Sequence, residues 1–196
     1  MNSKVIKTFI YAFILLGVVF VGIKVTKPLL EKHKDEIRYK FKLETTKGEI
    51  KLEDFQGRAL AIYFGYMYCP DVCPTSLSRL SEAYSELSKD EQKQIQGLFI
   101  SVDPARDSLE HLEGYAKYFH ESFIGATSPD ENYLHDLTER YGGYFRKVAL
   151  EGSKMGYSVN HTSDIFLLDK NGNFKGRISH MAKREDMIQA LREATK

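Results

Sequence analysis

The alternation of hydrophobic and polar residues predicts a folded domain that begins near Tyr39. Tyr39, Phe41 and Leu43 alternate with two lysines, a period of two that is typical of a half-buried strand. Residues 47–52 form a second short segment that starts with a Lys-Gly turn. The two segments are therefore expected to pair as a hairpin.

Two nearly continuous apolar runs, at residues 60–66 and 98–103, predict strands in the centre of a sheet. Between them, Leu77, Leu80 and Leu87 recur at helical spacing. The sequence therefore predicts a strand, a helix and a second strand in succession.

Start and stop signals bound two further helices. A capping-box pattern at Asp107 opens a helix that is expected to end near Phe119. Ser128, followed by a proline and then an acidic residue, predicts another N-cap. That helix runs to Tyr141 and stops at two glycines. A short strand over residues 123–126 joins the two helices.

Apolar segments at residues 144–150 and 157–169 precede an Asn-Gly hairpin turn, a strand at residues 174–179 and a helix from about Lys183. This order predicts a layered α/β domain with a mixed sheet. Ligand sites in such sheets gather beyond the C-terminal ends of strands. The segment CPDVCP follows such a strand end.

Composition narrows the class of protein. A chain of 196 residues suits one domain plus an appendage, and the domain is expected to be monomeric. The 28 basic and 27 acidic residues give a formal net charge of +1. That balance argues against nucleic acid as a partner, because binding it requires a basic surface.

An uncharged stretch near the N-terminus predicts a transmembrane anchor. Its 16 residues, 8–23, would span about 24 Å as a helix, and flanking residues can extend it towards a hydrocarbon core of about 30 Å. A cleaved signal peptide is the alternative, but no small-residue cleavage pattern follows. The expected organisation is a tail at residues 1–7, an anchor at 8–25, a charged linker at 26–38 and a folded domain at 39–196.

The charges around the anchor do not decide its orientation. More basic residues follow the anchor than precede it, which by itself would place the domain inside. A short tail before an apolar segment is nevertheless the usual export arrangement. The absence of an arginine-rich presequence favours a bacterial inner membrane over a mitochondrial one.

The two cysteines, Cys69 and Cys73, are four residues apart and indicate a local metal or redox site. Pro74 favours the first helical position, so Cys73 is expected to be a helix N-cap. A helix start lowers a thiol pKa and so favours the thiolate. A stabilising disulfide is disfavoured because so short a loop removes little entropy. The residues alone leave metal binding and disulfide exchange open.

Two thiolates that hold a soft metal usually need a third ligand, and imidazole suits copper and zinc. Of the six histidines, His161 alone lies in an alternating apolar segment. A histidine in such a segment is more often packed or hydrogen-bonded in the core than bound to metal. The sequence pattern by itself therefore leaves the role of His161 open.

Three motifs occur in order: CPDVCP after a hydrophobic strand, SVDPARDS at residues 101–108 and YSVNHTSDIFLLDKNGNF at residues 157–174. Together they resemble the Sco/SenC family, copper-binding proteins of cytochrome c oxidase assembly. The resemblance implies a thioredoxin-like mixed sheet flanked by helices, with an inserted β-hairpin. It also implies one copper ion, Cu(I) or Cu(II), bound by Cys69, Cys73 and His161.

On this resemblance the protein is expected to be a copper chaperone that helps to build the dinuclear copper centre of the oxidase. Its partner would be the copper-bearing oxidase subunit or another copper chaperone. The domain would be anchored in the inner membrane and face the periplasm or cell exterior. The main alternative is a thiol–disulfide oxidoreductase or redox sensor acting on oxidase cysteines, although its usual C-x-x-C spacing is absent. The donor set would also suit zinc.

Two positions depart from the family pattern. Asn160 stands where Asp commonly precedes the histidine, and Tyr68 stands where His often precedes the first cysteine. Neither change removes a ligand, but the missing charge beside His161 is expected to alter its hydrogen bonding. Asp71 either orients the cysteines or serves as a turn residue. Asp103 is expected to have a turn or capping role.

Overall fold

The structure is a computed structural model that describes residues 38–196. The strands in this part of the chain are β1 (Lys42–Thr45), β2 (Gly48–Lys51), β3 (Ala59–Gly65), β4 (Ile95–Ser101), β5 (Ile124–Ala126), β6 (Phe145–Ala149), β7 (Tyr157–His161), β8 (Ile165–Leu168) and β9 (Phe174–Ile178). The α-helices are α1 (Val72–Ser85), α2 (Lys89–Lys93), α3 (Leu109–Phe119), α4 (Glu131–Arg140) and α5 (Arg184–Ala194). A short 3₁₀ helix spans Leu52–Phe55.

Five strands form the central sheet in the order β5-β4-β3-β8-β9. β3 runs parallel to β4, and β4 runs parallel to β5. β8 is antiparallel to both β3 and β9. Every residue of β3 and β4 is buried, which explains why these strands are continuous apolar runs in the sequence. The prediction of an α/β domain with a mixed sheet is confirmed.

Two hairpins lie outside this sheet. β1 and β2 pair with each other, and Gly48 in their turn has a φ of 110°, a conformation that glycine adopts readily. β6 and β7 form the second hairpin, which is inserted between α4 and β8. Within residues 38–196, β6 and β7 pair with no other strand.

Helices cover the sheet and fix the end of β3. α5 packs against α1 and against β3, β8 and β9, whereas α3 packs against β1, β4 and β5. Large side chains fill the space between these layers, among them Tyr63, Phe64, Phe99 and Phe166, all of them buried. Burial of this apolar surface is the main source of stability. The same packing also holds the C-terminal end of β3, which the cysteine segment follows.

Two helix starts differ from the sequence-based predictions. The N-cap of α3 is Ser108, whose side chain accepts a hydrogen bond from the backbone N–H of His111. Asp107 is not the cap because its carboxylate is buried and bonded to other groups. The N-cap of α4 is Asp130 rather than Ser128, because the Asp130 carboxylate accepts hydrogen bonds from two backbone N–H groups of the first turn.

The predicted membrane anchor falls in the part of the chain that precedes Arg38. The tail at residues 1–7, the anchor at 8–25 and the linker at 26–38 except Arg38 lie outside the described residues. Among residues 38–196, none of the helices has the length and apolar character needed to span a bilayer.

Candidate metal centre

Cys69 and Cys73 lie just beyond the C-terminal end of β3. The backbone N–H of Cys69 donates to the carbonyl of Tyr66 at 3.3 Å, which closes a turn after the strand. The prediction that Cys73 is an N-cap is wrong, because α1 begins at Val72 and Cys73 lies in its first turn. Proline is tolerated throughout that turn, where N–H groups have no intrahelical acceptor. Pro74 therefore does not mark the first residue of the helix.

The sulfur of Cys73 packs directly on β3. Cys73 is fully buried, whereas Cys69 is partly exposed. A Cβ atom added to Gly65 would stand 2.9 Å from Cys73 Sγ and 3.0 Å from the ring of Phe99. The missing side chain at Gly65 is therefore what allows the sulfur to approach the strand. The sequence analysis did not identify this glycine.

His161 is the last residue of β7, and the inserted hairpin brings it to the cysteines. Its Nε2 lies 3.2 Å from Cys73 Sγ. Its Nδ1 lies 2.9 Å from the carbonyl oxygen of Thr162, and because a carbonyl only accepts, Nδ1 carries the proton. The lone pair of Nε2 is thus available to the sulfur or to a metal. The ring is held edge-on by Tyr63 and Tyr66, each with its centroid at 6.0 Å.

The two thiols differ strongly in acidity. A hydrogen bond from the side chain of Cys73 lowers the pKa of Cys69 to about 3. Burial raises the pKa of Cys73 well above its ordinary range, and its hydrogen bond with Cys69 raises it further. The site therefore holds a thiolate on the more exposed Cys69 and a thiol on Cys73. A metal that binds both sulfurs has to release the remaining proton.

The three candidate ligand atoms fit around a single ion. The ligand atoms of Cys69, Cys73 and His161 all lie within 4.8 Å of one another. Two atoms that are each about 2.3 Å from one metal can be at most about 4.6 Å apart, so a small contraction suffices. Two sulfurs and one imidazole suit copper or zinc. In residues 38–196, this compact group does not include the other histidines, which are His111, His120, His135 and His180.

Three further residues singled out in the sequence do not belong to this group. Asp71 is exposed, and its side chain accepts a hydrogen bond from Thr75 Oγ1 at 3.3 Å. Tyr68 is 51% exposed. Asn160 is exposed and, as the neighbour of His161 along a strand, points to the opposite face. The ring of His161 bonds a backbone carbonyl and not the side chain of residue 160.

Buried acidic groups brace the loop that carries the cysteines. The carboxylate of Asp107 accepts hydrogen bonds from Ser101 Oγ at 2.6 Å and from the backbone N–H of Met67 at 3.0 Å. Burial raises the pKa of this carboxyl. Asp103 opens a turn, as predicted, by accepting from the backbone N–H of Arg106. Its side chain also forms a buried ion pair with Arg106, which the sequence did not reveal.

Fold and site together define a thioredoxin-like domain with a Cys-Cys-His group suited to a soft metal. The family model described as SCO1/SenC matches residues 30–196. The chain therefore belongs to the SCO1/SenC family, and the resemblance found in the sequence is confirmed.

Relatives and solved structures agree with this assignment. The chain is 32% identical to a SCO2-like protein of Rickettsia conorii over an alignment of 202 positions, gaps included, that covers 97% of this chain and 98% of that relative. Its fold is similar to apo Sco1 of Thermus thermophilus, with a TM-score of 0.72 and 33% identity over 80% of this chain and 91% of that one. Yeast Sco1 with copper bound gives a TM-score of 0.68 and 30% identity over 79% of this chain and 85% of that one. The predicted thioredoxin-like mixed sheet is thereby confirmed.

Proposed function

We propose that this protein binds one copper ion through Cys69, Cys73 and His161 and helps to load the dinuclear copper centre of cytochrome c oxidase. The observation that carries the proposal is the convergence of two sulfurs and one imidazole nitrogen within 4.8 Å. Related structures from yeast and Bradyrhizobium japonicum, at 30% and 28% identity, contain bound copper. The link to the oxidase rests on membership of the family.

The donor set can hold copper in both oxidation states. Thiolates are the ligands that Cu(I) prefers, whereas imidazole nitrogen also suits Cu(II). Cys69 is already a thiolate, so binding requires the loss of one proton, from Cys73. The tautomer fixed by the Thr162 carbonyl presents Nε2 of His161 to the ion without rearrangement.

Delivery follows from the unequal exposure of the two sulfurs. Cys69 is partly exposed, so a thiolate of the partner can approach the metal from the side of Cys69 before Cys73 dissociates from it. Copper then passes by ligand exchange and is never free in solution. As the metal leaves, the proton returns to Cys73, whose buried sulfur disfavours the charged form.

The setting proposed for this activity is the outer face of a bacterial inner membrane. Residues 8–25 would anchor the chain, and the copper-binding domain would face the periplasm or cell exterior as a monomer. Its partner would be the copper-bearing subunit of the oxidase or another copper chaperone. Selective extraction with detergent, combined with protease accessibility in intact spheroplasts, tests the anchor and the orientation together.

Copper titration of the reduced 196-residue chain tests the ligand assignment. We expect one copper per chain, and a large loss of Cu(II) affinity in Cys69→Ala, Cys73→Ala and His161→Ala. His111→Ala is the matched control, because His111 is exposed on α3 and outside the ligand group. Unchanged Cu(II) affinity in His161→Ala would contradict the assignment. Tighter binding of zinc than of copper in competition would favour a zinc site instead.

Thiol–disulfide exchange is the second candidate, and the acidic, partly exposed Cys69 beside a buried thiol favours it. The His161→Ala variant distinguishes the two activities. A reductase retains turnover of a disulfide substrate in His161→Ala, whereas a copper chaperone loses Cu(II) binding in the same variant. High reductase activity with weak copper binding by the unmodified chain would replace the first proposal with the second.

A further inference from the structure

The hairpin that carries His161 is not held by the central sheet. Within the described residues, β6 and β7 form backbone ladders only with each other. The distance from His161 to the cysteines therefore depends on the short connection to β8, residues 162–164, and on the contacts that side chains make between the hairpin and the rest of the domain. The residues that make those contacts determine whether the third ligand is in place when a metal arrives.

Arg106 contacts the hairpin at the start of β7. Its Nη1 donates to the carbonyl oxygens of Tyr157 at 3.0 Å and Met155 at 3.2 Å. Its guanidinium carbon lies 3.7 Å from the centre of the Tyr157 ring, a distance at which cation and ring attract each other. One side chain thus holds both the backbone and the ring of Tyr157.

Asp103 fixes this pair from the domain side. One of its carboxylate oxygens accepts from Arg106 Nε at 2.5 Å, and the other accepts from the Tyr157 hydroxyl at 2.6 Å. The Asp103 side chain is fully buried and that of Arg106 is 16% exposed. Each charge is therefore poorly hydrated and depends on the other for stabilisation.

The same guanidinium faces the segment that leads to the first cysteine. Its carbon lies 5.7 Å from the centre of the Tyr66 ring and 5.1 Å from that of Tyr68, the residue before Cys69. Tyr157 and His161 share one face of β7, because side chains four residues apart in a strand point the same way. The guanidinium thus lies between the strand that presents the histidine and the segment that presents the cysteine.

We infer that Arg106, held by Asp103, is a positioning residue that keeps His161 within bonding distance of the metal. The inference rests on the proposed function for the identity of that metal. Its geometric part, the attachment of β7, does not depend on copper. Phe145 stacks on His135 at 3.8 Å and pairs with His161 across the hairpin, so without Arg106 the hairpin stays attached at that end and loses its anchor at the start of β7.

The two oxidation states of copper should respond differently to the loss of this contact. Cu(I) is satisfied by the two thiolates, whereas Cu(II) gains more from the imidazole. Removal of a group that orients a metal ligand typically lowers affinity about 10–100-fold. We therefore expect Arg106→Ala in the 196-residue chain to lose that much Cu(II) affinity and less than about threefold in Cu(I) affinity.

Arg106→Lys tests geometry against charge. It retains the positive charge but loses the planar fork and the stack on the ring, so it should not restore Cu(II) binding. The nitrogen hyperfine pattern of bound Cu(II) should weaken in both variants. Arg79→Ala is the matched control, because Arg79 is partly buried and donates to the His180 carbonyl at 3.0 Å. Wild-type Cu(II) affinity and an unchanged nitrogen pattern in the Arg106 variants would overturn the proposal.

Hydrogen exchange of the metal-free chain separates this inference from the proposed function. Amides of β7 should exchange at least tenfold faster in Arg106→Ala, while those of β3 and β4 keep their rates. Equal β7 protection overturns the inference even if the protein binds copper. Faster β7 exchange supports it even if the unmodified chain binds none, a result that would defeat the proposed function alone. If Arg106→Ala does not fold, Tyr157→Phe removes the 2.6 Å bond to Asp103 and is judged by the same two readouts.

Discussion

Replacement of Gly65 by alanine tests how closely Cys73 is packed against β3. The added methyl group would stand 2.9 Å from Cys73 Sγ and 3.0 Å from a ring carbon of Phe99. Gly65 does not have a positive φ, so alanine meets no backbone strain there. Any effect of the substitution is therefore steric, and it acts on the Cys73 sulfur together with the rings of Tyr63, at 2.9 Å, and Phe99.

The size of the effect follows from these distances. An ordinary contact begins at 3.4 Å, so Cys73 Sγ and its neighbours must move by about 0.5 Å from the 2.9 Å separation. Metal–ligand distances tolerate only about 0.2 Å, so we expect copper affinity to fall at least about tenfold, or roughly 1.4 kcal/mol. Overpacking should also lower the free energy of unfolding by about 1–3 kcal/mol. For a domain of this size, each kcal/mol lowers the melting temperature by about 2–4 °C.

Competition with a chromophoric copper chelator and thermal unfolding measure the two effects separately. Gly114→Ala is the control, because Gly114 is an exposed residue of α3 with nothing within 4 Å of an added Cβ. That variant should retain copper affinity and gain up to about 1 kcal/mol of stability from helix propensity. Wild-type affinity and melting temperature in Gly65→Ala would refute the reasoning, because the sulfur could not then be in contact with the strand.

Three other changes probe the surroundings of the metal centre. Cys69 should react with iodoacetamide at pH 6 nearly as fast as at pH 8, because a hydrogen bond from Cys73 lowers its pKa to about 3. The labelling rate of a thiol with a pKa of about 8.5 would fall by close to 100-fold over the same range, and a fall of that size would contradict the lowered pKa of Cys69. Asp107→Ala leaves the N–H of Met67 without its acceptor, so chemical denaturation should show a loss of about 1–3 kcal/mol, and wild-type stability would count against a bracing role. Asn160→Asp should change Cu(II) affinity by less than about threefold, because the side chain is exposed, faces away from the histidine and is screened by water; a larger change in titration would show that charge at this position reaches the metal.

Sequence patterns predicted the fold wherever a pattern was long enough to repeat. The continuous apolar runs became the fully buried strands β3 and β4, and the Asn-Gly turn joins β8 to β9. α2 was missed because five residues are too few to show helical periodicity, although Ser88 and Glu91 form a capping box at its start. Asp107 and Asp130 show why caps were misplaced: identical side chains can point into the core or towards a helix, and spacing does not say which.

The metal centre was predicted less completely by the residues themselves. The spacing of the cysteines indicated a local site, but His161 is 88 residues from Cys73, and only the family resemblance brought it into the ligand set. Gly65 gave no signal in the sequence, because its contribution is the absence of a side chain, which leaves room for the sulfur of Cys73. Arg106 lay inside a recognised motif, yet its partner Tyr157 belongs to a distant strand, so no local pattern could assign its role.

The centre joins two parts that are held in different ways, and this bears on how copper could be released. The cysteines belong to the packed end of β3 and the first turn of α1, whereas His161 arrives on a hairpin held by side chains. Two thiolates are enough for Cu(I), and nitrogen matters more for Cu(II). With the proposed ligand set, the position of the hairpin would therefore affect the affinity for Cu(II) more than the affinity for Cu(I). A shift of β7 would open the site to a partner's thiolate while the reduced metal stays bound. Under the proposed function, the contacts of Arg106 would affect the release of copper to a partner as directly as the proposed ligands affect its binding.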